Sequence, residues 1–412
     1  MKDGTVLISG AGIAGLSLAH WLRRHGFAPT IVERSPAQRA GGQAVDIRGA
    51  ARTVVERMGI MDAIRSSHTG THGLAYVDRA GRPIVRFGGD DFGDSGGIVA
   101  EIEILRNDLV RILDEAAGEV ETIYGEVIAG LTDEEDGVRA TFREGPPRRF
   151  DIVVGADGLR SGIRRLAFGD ESSYLNDLGY YGSYFAAHTT LDLDGWELMY
   201  NLPAGNGVGG RAVLLYPVGR TGEVRAMFCF MSPDRAYERQ DTRAQKELLA
   251  TVFSDASWEI PALIDQMRDT DDLYFARNAE IKLDRWASGR AVLLGDSAFA
   301  GSLGMGTSMA LVGAYVLAAE LAAAGGDHGA AFGRYEDRMR DYVRINQKRP
   351  PGSSRGFAPK SATGIWLRNQ MMRLVVRMPG KQAMMGGIQK SANAIDLPDY
   401  PLSTPSPAPA AR

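Results

Sequence analysis

The residues Thr5-Val6-Leu7-Ile8-Ser9 form an apolar run that ends at a glycine turn, and Leu16-Ser17-Leu18-Ala19-His20-Trp21-Leu22 then carries apolar side chains at helical spacing. The pattern predicts strand, tight turn and helix. Pro29-Thr30-Ile31-Val32 predicts the next strand and closes a βαβ unit. Residues 51–64 set Val54, Val55, Met58 and Ile60 at near-helical spacing, and residues 74–77 and 83–87 read as paired strands around Ala80-Gly81. Residues 102–117 read as a helix containing Arg106 and Arg111, with strands following over 142–154. Strand signals at 180–190, 211–218 and 224–231, parted by glycine and proline turns, predict an inserted antiparallel sheet. Ala291-Val292-Leu293-Leu294 reads as a short buried strand, and helices are expected over 307–324 and 328–346. Beyond a Pro-, Gly- and Ser-rich break at 348–359, residues 365–377 carry an apolar stripe of Trp366, Leu367, Met371, Leu374 and Val375, expected to bury itself. Residues 401–412, rich in proline and alanine, read as disordered.

Three separated stretches carry candidate chemistry. In Gly10-Ala11-Gly12-Ile13-Ala14-Gly15, Gly10 permits the turn, Gly12 lets backbone N–H groups approach a pyrophosphate, and Gly15 lets helix pack on strand. The helix start offers partial positive charge to phosphates. Glu33, followed by Arg34, ends the second strand at the position where an acid accepts from ribose hydroxyls. The same glycine pattern recurs at Gly205, Gly207 and Gly210, but a strand-like run follows it and no helix begins, so it reads as a turn. In the second stretch, Asp157 follows the strand-like Asp151-Ile152-Val153-Val154. It either binds ribose or orders the backbone near the pyrophosphate, while Arg160 and Arg164 are candidates to receive nicotinamide phosphates. In the third, Asp296 at a strand end suits a ribitol hydroxyl, and Gly304, Met305, Gly306 and Thr307 open a helix whose N-terminus would stabilise charge on a reduced ring. Together the three point to FAD.

Bulk properties narrow the partners. A net charge of -4 supplies no strong positive field, so nucleic acid is not an expected partner. Cys229 is the sole cysteine, in an apolar run, so it reads as an inert buried thiol in a reducing, cytoplasmic setting. The apolar stretch 305–324 contains Thr307, Ser308 and Glu320, so it reads as a buried helix and no membrane association is expected. No metal-ligand spacing of His or Cys is visible, and oxidative chemistry would need an organic cofactor.

The ordered set of the GxGxxG turn with Glu33-Arg34, Arg106-Asn107-Asp108-Leu109, Asp157-Gly158, and Gly295-Asp296 with its glycine-rich helix start resembles the class A FAD-dependent monooxygenases, the flavoprotein aromatic hydroxylases. Gly41-Gly42, the Arg106 run and the C-terminal helical segment look most like the subgroup of tetracycline-inactivating and polyketide-tailoring oxygenases, hence a role in antibiotic biosynthesis or inactivation. The resemblance implies an α/β fold. A Rossmann-like FAD-binding domain would comprise 1–72, 100–170 and 273–346; an inserted antiparallel-sheet substrate domain 73–99 and 171–272; a C-terminal helical segment 347–395; and a tail 396–412. It implies FAD reduced by transient NADPH or NADH, then O2 and a flavin C4a-hydroperoxide that hydroxylates a small aromatic or polyketide-like molecule. Arg106 would contact the flavin or its phosphates; a solvated helix arginine is the alternative. Relatives carry a proline-rich loop where Ala298-Phe299-Ala300-Gly301-Ser302-Leu303 has no proline. The rival readings are an isoprenoid double-bond reductase, a flavin-dependent halogenase and a non-catalytic FAD-binding protein; Trp258-Glu259-Ile260-Pro261 supplies only half the halogenase pattern. On the inserted sheet, His188, Arg211, Tyr216, Phe228 and Phe230 are substrate candidates, or ordinary sheet core.

Overall fold

In the computed structural model, residues 4–38, 42–89, 100–218, 223–232, 241–348, 357–379, 387 and 389–400 are described. The opening strand Thr5–Ser9 lies inside a six-stranded sheet, between Ala28–Glu33 and Ile152–Gly155. Glu121–Tyr124 and Ala291–Leu293 extend it in parallel, and only the edge pair with Ala287–Ser288 is antiparallel. Largely buried on both faces, Thr5–Ser9, Ala28–Glu33, Ile152–Gly155 and Ala291–Leu293 are near-continuous apolar runs rather than alternating ones, as the interior of a parallel sheet requires. Helix Ile13–Arg24 packs along Gly306–Ala323, which in turn packs against His328–Gln347. Gly306–Ala323 is the one described helix long and apolar enough to cross a membrane, and most of its residues are buried within the fold.

A second sheet of seven strands runs in the order Tyr274–Ile281, Leu175–Ala187, Val224–Met231, Arg211–Pro217, Trp196–Leu202, Gly73–Val77 and Pro83–Gly88. It is mixed rather than wholly antiparallel, because Trp196–Leu202 pairs in parallel with Gly73–Val77. Tyr274–Ile281, expected with the cofactor unit, pairs instead at this sheet's edge. One face packs on helices Thr242–Val252 and Ile260–Asp269 around Phe185, Phe228 and Phe253. The other looks toward the cofactor layer, where Tyr216, Met227 and Cys229 meet Ala44 and Leu105.

Local chemistry revised several boundaries. The helix expected over 51–64 is two helices, Ala50–Met58 and Met61–Ser66, because Gly59 takes φ 77 and terminates the first in the left-handed region. The helix expected from residue 102 begins at Arg106; Glu103–Leu105 is a strand paired with Ala44–Asp46. In the C-terminal helix Ala362–Arg377, the face on the sheet is Arg368, Asn369, Met372 and Val376, the last two against Leu74, Tyr76, Val85, Phe87 and Met199. Of the stripe expected to be buried, Val375 is half-buried and Trp366, Leu367, Met371 and Leu374 are exposed, Trp366 at 61% and Leu374 at 63%. Arg368 fixes this rotation by donating to Asn201 Oδ1 at 2.7 Å and lying 4.1 Å from the Tyr76 ring. Of the expected tail, 401–412 lie outside the described residues. Residues 397–400 dock on the cofactor layer: Tyr400 donates to Glu320 at 2.6 Å, and Arg57 pairs with Asp399.

Candidate functional site

At the glycine turn, Gly10 adopts φ 108, and a Cβ there would sit 2.6 Å from Ala156 O. A Cβ on Gly15 would sit 2.0 Å from Gly10 O, so the helix can start this close to the strand only without side chains at both positions. The turn therefore presents the first backbone N–H groups of Ile13–Arg24 to open space. Glu33 is tied into it: Ala11 N donates to Glu33 Oε2 at 3.0 Å and Ser35 N to Oε1 at 2.9 Å. Those bonds orient the carboxylate and leave lone pairs for a ribose hydroxyl. Arg34 is exposed beside it. Ala14 is a packing residue, since a Cβ on Gly295 would lie 3.0 Å from the Ala14 methyl.

Arg106 reaches this turn from the first position of its helix, its Nη2 3.5 Å from where a Cβ of Gly12 would be. Its charge also acts on Asp296. Asp296 is open to the cleft but enclosed by protein on its other sides; the enclosure raises its carboxyl above the ordinary aspartate value, and Arg106 and Arg164 pull it back down. Asp296 Oδ1 lies 3.7 Å from where a Cβ of Gly306 would be, at the start of Gly306–Ala323. Gly304, at φ 68, and buried Met305 turn the chain into that helix, and Thr307 is half-buried in its first turn. Ser302 Oγ, beside the helix start, is enclosed with no hydrogen-bond partner among the described residues. Thus two helix N-termini, an arginine, a cleft-facing carboxylate and an unsatisfied hydroxyl converge. The set fits an anionic dinucleotide with a hydroxylated linker.

Other candidates have different roles. Asp157 is an internal cap: its carboxylate accepts from Gly162 N at 2.7 Å, Ser9 Oγ at 3.2 Å and Ser297 Oγ at 3.2 Å, which orders the backbone rather than leaving it free for ribose. Arg164 is fully buried and donates to Ser297 O, Leu159 O and Glu171, so it cannot receive nicotinamide phosphates. Arg160 pairs with the same Glu171. Arg211 and Phe228 are corrected as substrate candidates because they stand on the helix-covered side of the seven-stranded sheet, and His188 because it lies past the end of the strand Leu175–Ala187. His188 is exposed, its backbone bonded to Gln266. Arg211 is spent on Asp255, Pro203 O and Val252 O. Phe228 packs 4.8 Å from the Phe253 ring, and Phe230 stacks on Tyr181. Tyr216 alone faces the cofactor layer, its hydroxyl accepting from Ala44 N at 3.3 Å. Gly41 lies outside the described residues. The Gly205 repeat is a turn, bridged by Gly205 and Val208 and leading into a strand. Trp258-Glu259-Ile260-Pro261 starts a helix on the outer face. No metal-binding cluster occurs among the described residues.

Sequence reasoning missed the buried Arg48, Glu103 and Glu197 and the partly buried Asp46, which pairs with Arg48 where the two layers meet. The available signal was a glutamate inside each of two apolar alternating runs, Ile102-Glu103-Ile104 and Trp196-Glu197-Leu198.

Residues 3–343 match the family model described as an FAD binding domain. The chain is 39% identical over 360 residues to an uncharacterized protein of Mycobacterium tuberculosis (strain ATCC 25618 / H37Rv), covering 86% of this chain and 95% of that one. It is 33% identical over 404 residues to a flavin-dependent monooxygenase of Legionella longbeachae, covering 98% and 100%. Among solved structures it is similar to the tetracycline destructase Tet(51), with a TM-score of 0.81 and 32% identity over 96% of this chain and 100% of that one.

Proposed function

This chain belongs to the FAD-binding-domain family of flavin-dependent monooxygenases, and we propose that it uses NADPH or NADH and O2 to hydroxylate a small aromatic or polyketide-like molecule. The observation that carries the reading is the convergence of the starts of Ile13–Arg24 and Gly306–Ala323 on one cleft, with Arg106 reaching both Gly12 and the field of Asp296. FAD, when bound, supplies the hydride and oxygen-transfer chemistry. The backbone at Gly12 and Ile13 and the Arg106 guanidinium would hold the pyrophosphate, Glu33 would accept from the ribose, and Asp296 would accept from the ribitol. The N–H groups of Gly306 and Thr307, at the start of their helix, would stabilise negative charge on the reduced ring.

Substrate sits between this cleft and the facing side of the seven-stranded sheet. That side carries Met199, Leu214, Tyr216, Met227 and Cys229; Leu214 is half-buried and the others are buried against Ala44, Leu105 and the C-terminal helix, an apolar and polarisable lining. The C-terminal helix borders it, and its exposed Leu367, Met371 and Leu374 extend an apolar wall that a bound substrate would cover. Excluding water there is the protein's share of the oxygen transfer. Similarity to a tetracycline destructase supports a polycyclic, oxygenated substrate. The test is anaerobic reduction of the yellow protein by NADPH and by NADH, followed by O2 uptake with a panel of polycyclic phenols. Substrate-stimulated uptake supports the reading; a flavin that neither nicotinamide reduces, with or without any panel member, contradicts it.

A further inference from the structure

The bend between the strand Ala44–Asp46 and the helix Ala50–Met58 is fastened to the entry of Gly306–Ala323. A single hydroxyl makes both bonds: Ser308 Oγ, fully buried in that helix's first turn, accepts from Arg48 N at 2.9 Å and donates to Asp46 O at 3.3 Å. The bend brings the Asp46 carboxylate to the turn that opens the helix. Asp46 Oδ2 lies 3.4 Å from where a Cβ of Gly304 would be, and Gly304 holds φ 68, a left-handed conformation suited to glycine. Arg48 closes on the same oxygen, donating from Nε and from Nη2 at 2.9 Å each. Asp46 is 18% exposed and Arg48 8%, so solvent screens the pair poorly. On its far side the bend is backed by the C-terminal segment, since Gly49, at φ 52, leaves no room for a Cβ against Ala392 O.

Two carboxylates thus flank one helix start. Asp296 approaches Gly306 and Asp46 approaches Gly304, with Arg106 acting on the first and Arg48 bonded to the second. The helix N-terminus favours a negative group, and a bare carboxylate beside it cancels that preference. A flavin ring that gains two electrons and one proton, the hydride a nicotinamide delivers, carries one negative charge. Resting on the reading that this ring lies at the start of Gly306–Ala323, we propose that Arg48 is a positioning residue that sets the flavin's reduction potential: paired with Asp46, it keeps that carboxylate from opposing the charge of the reduced ring. Glu103, opposite Asp46 in the strand pair, and Glu197 are buried in the same corner and supply no cation, so neither can take over from Arg48.

The experiment reads the two-electron midpoint potential of FAD-loaded full-length protein against a reference dye, for wild type, Arg48→Ala, Asp46→Asn and the double variant. Loss of the arginine should weaken the preference for reduced over oxidised flavin about tenfold, a shift of about 30 mV to more negative potential for a two-electron couple. Loss of the carboxylate's charge leaves Arg48 uncompensated and should move the potential about as far in the positive direction. The double variant, with neither charge, should return to within about twofold of wild type. A merely structural role gives no reason for the sign to reverse between the two single variants. A shift of the wrong sign in either of them, or one within about twofold of wild type, would overturn the proposal. Should Arg48→Ala not fold or not hold FAD, Arg48→Gln takes its place, and Asp46→Asn still carries a predicted sign. Titration of stripped wild type with FAD separates the two readings. No uptake would overturn the cofactor site and this proposal with it, whereas normal uptake with unmoved potentials overturns this proposal alone.

Discussion

Replacing Asp296 by alanine isolates the cofactor's share of this site. Among the described residues the Asp296 carboxylate accepts no side-chain hydrogen bond; the charges of Arg106 and Arg164 act on it, and it opens to the cleft. Its removal should therefore leave the cofactor-free fold within about 0.5 kcal/mol of wild type, as for a surface substitution away from special contacts. The bound state loses a charged hydrogen bond to a hydroxyl, about 1.5 to 3 kcal/mol, which weakens FAD roughly ten- to a hundredfold. Asp296→Asn keeps an acceptor and gives up the charge, so its loss should be smaller, about fivefold. Titration of stripped protein with FAD, followed by flavin fluorescence, reads both numbers, and thermal unfolding of the stripped protein checks the fold. FAD affinity in Asp296→Ala within about twofold of wild type would refute the reasoning, as would a loss of affinity matched by a loss of apo stability.

Two further outcomes follow. Arg164→Ala should cost about 3 kcal/mol or more in denaturant unfolding, because a fully buried guanidinium tying Ser297 O, Leu159 O and Glu171 is removed, while the KM for nicotinamide stays unchanged. Serine at Leu367, Met371 and Leu374 together should leave stability within about 1 kcal/mol, since all three are exposed, yet raise hydrogen peroxide released per NADPH consumed; unchanged coupling would show that the helix does not wall the substrate.

The parts of the molecule legible in its sequence are those where a few consecutive residues decide the geometry. The turn at Gly10 to Gly15 is such a case, because the conformation at Gly10 and the absence of a side chain at Gly15 are written in two residue identities. So is the glycine entry to Gly306–Ala323. Pairing between distant strands is not local, and the parallel partnership of Trp196–Leu202 with Gly73–Val77 left no mark in either segment. The C-terminal helix shows a further limit. Its apolar residues pointed to one face, but a buried Arg368 bonded to Asn201 and stacked on Tyr76 holds another face to the sheet, an outcome hydrophobicity alone cannot anticipate. Arg211 and Phe228 failed as substrate candidates for a related reason: strand alternation tells which residues share a face, and only the helices Thr242–Val252 and Ile260–Asp269 reveal which face is covered.

Product analysis under isotopically labelled O2 tests the central claim most directly. The protein is incubated with NADPH, FAD and the polycyclic phenol that most stimulates oxygen uptake, and the product mass is measured. One labelled oxygen atom in the product, with the other recovered in water, is the predicted result. A product lacking the label, or one gaining two hydrogens across a double bond, would contradict the assignment of this site to oxygen insertion.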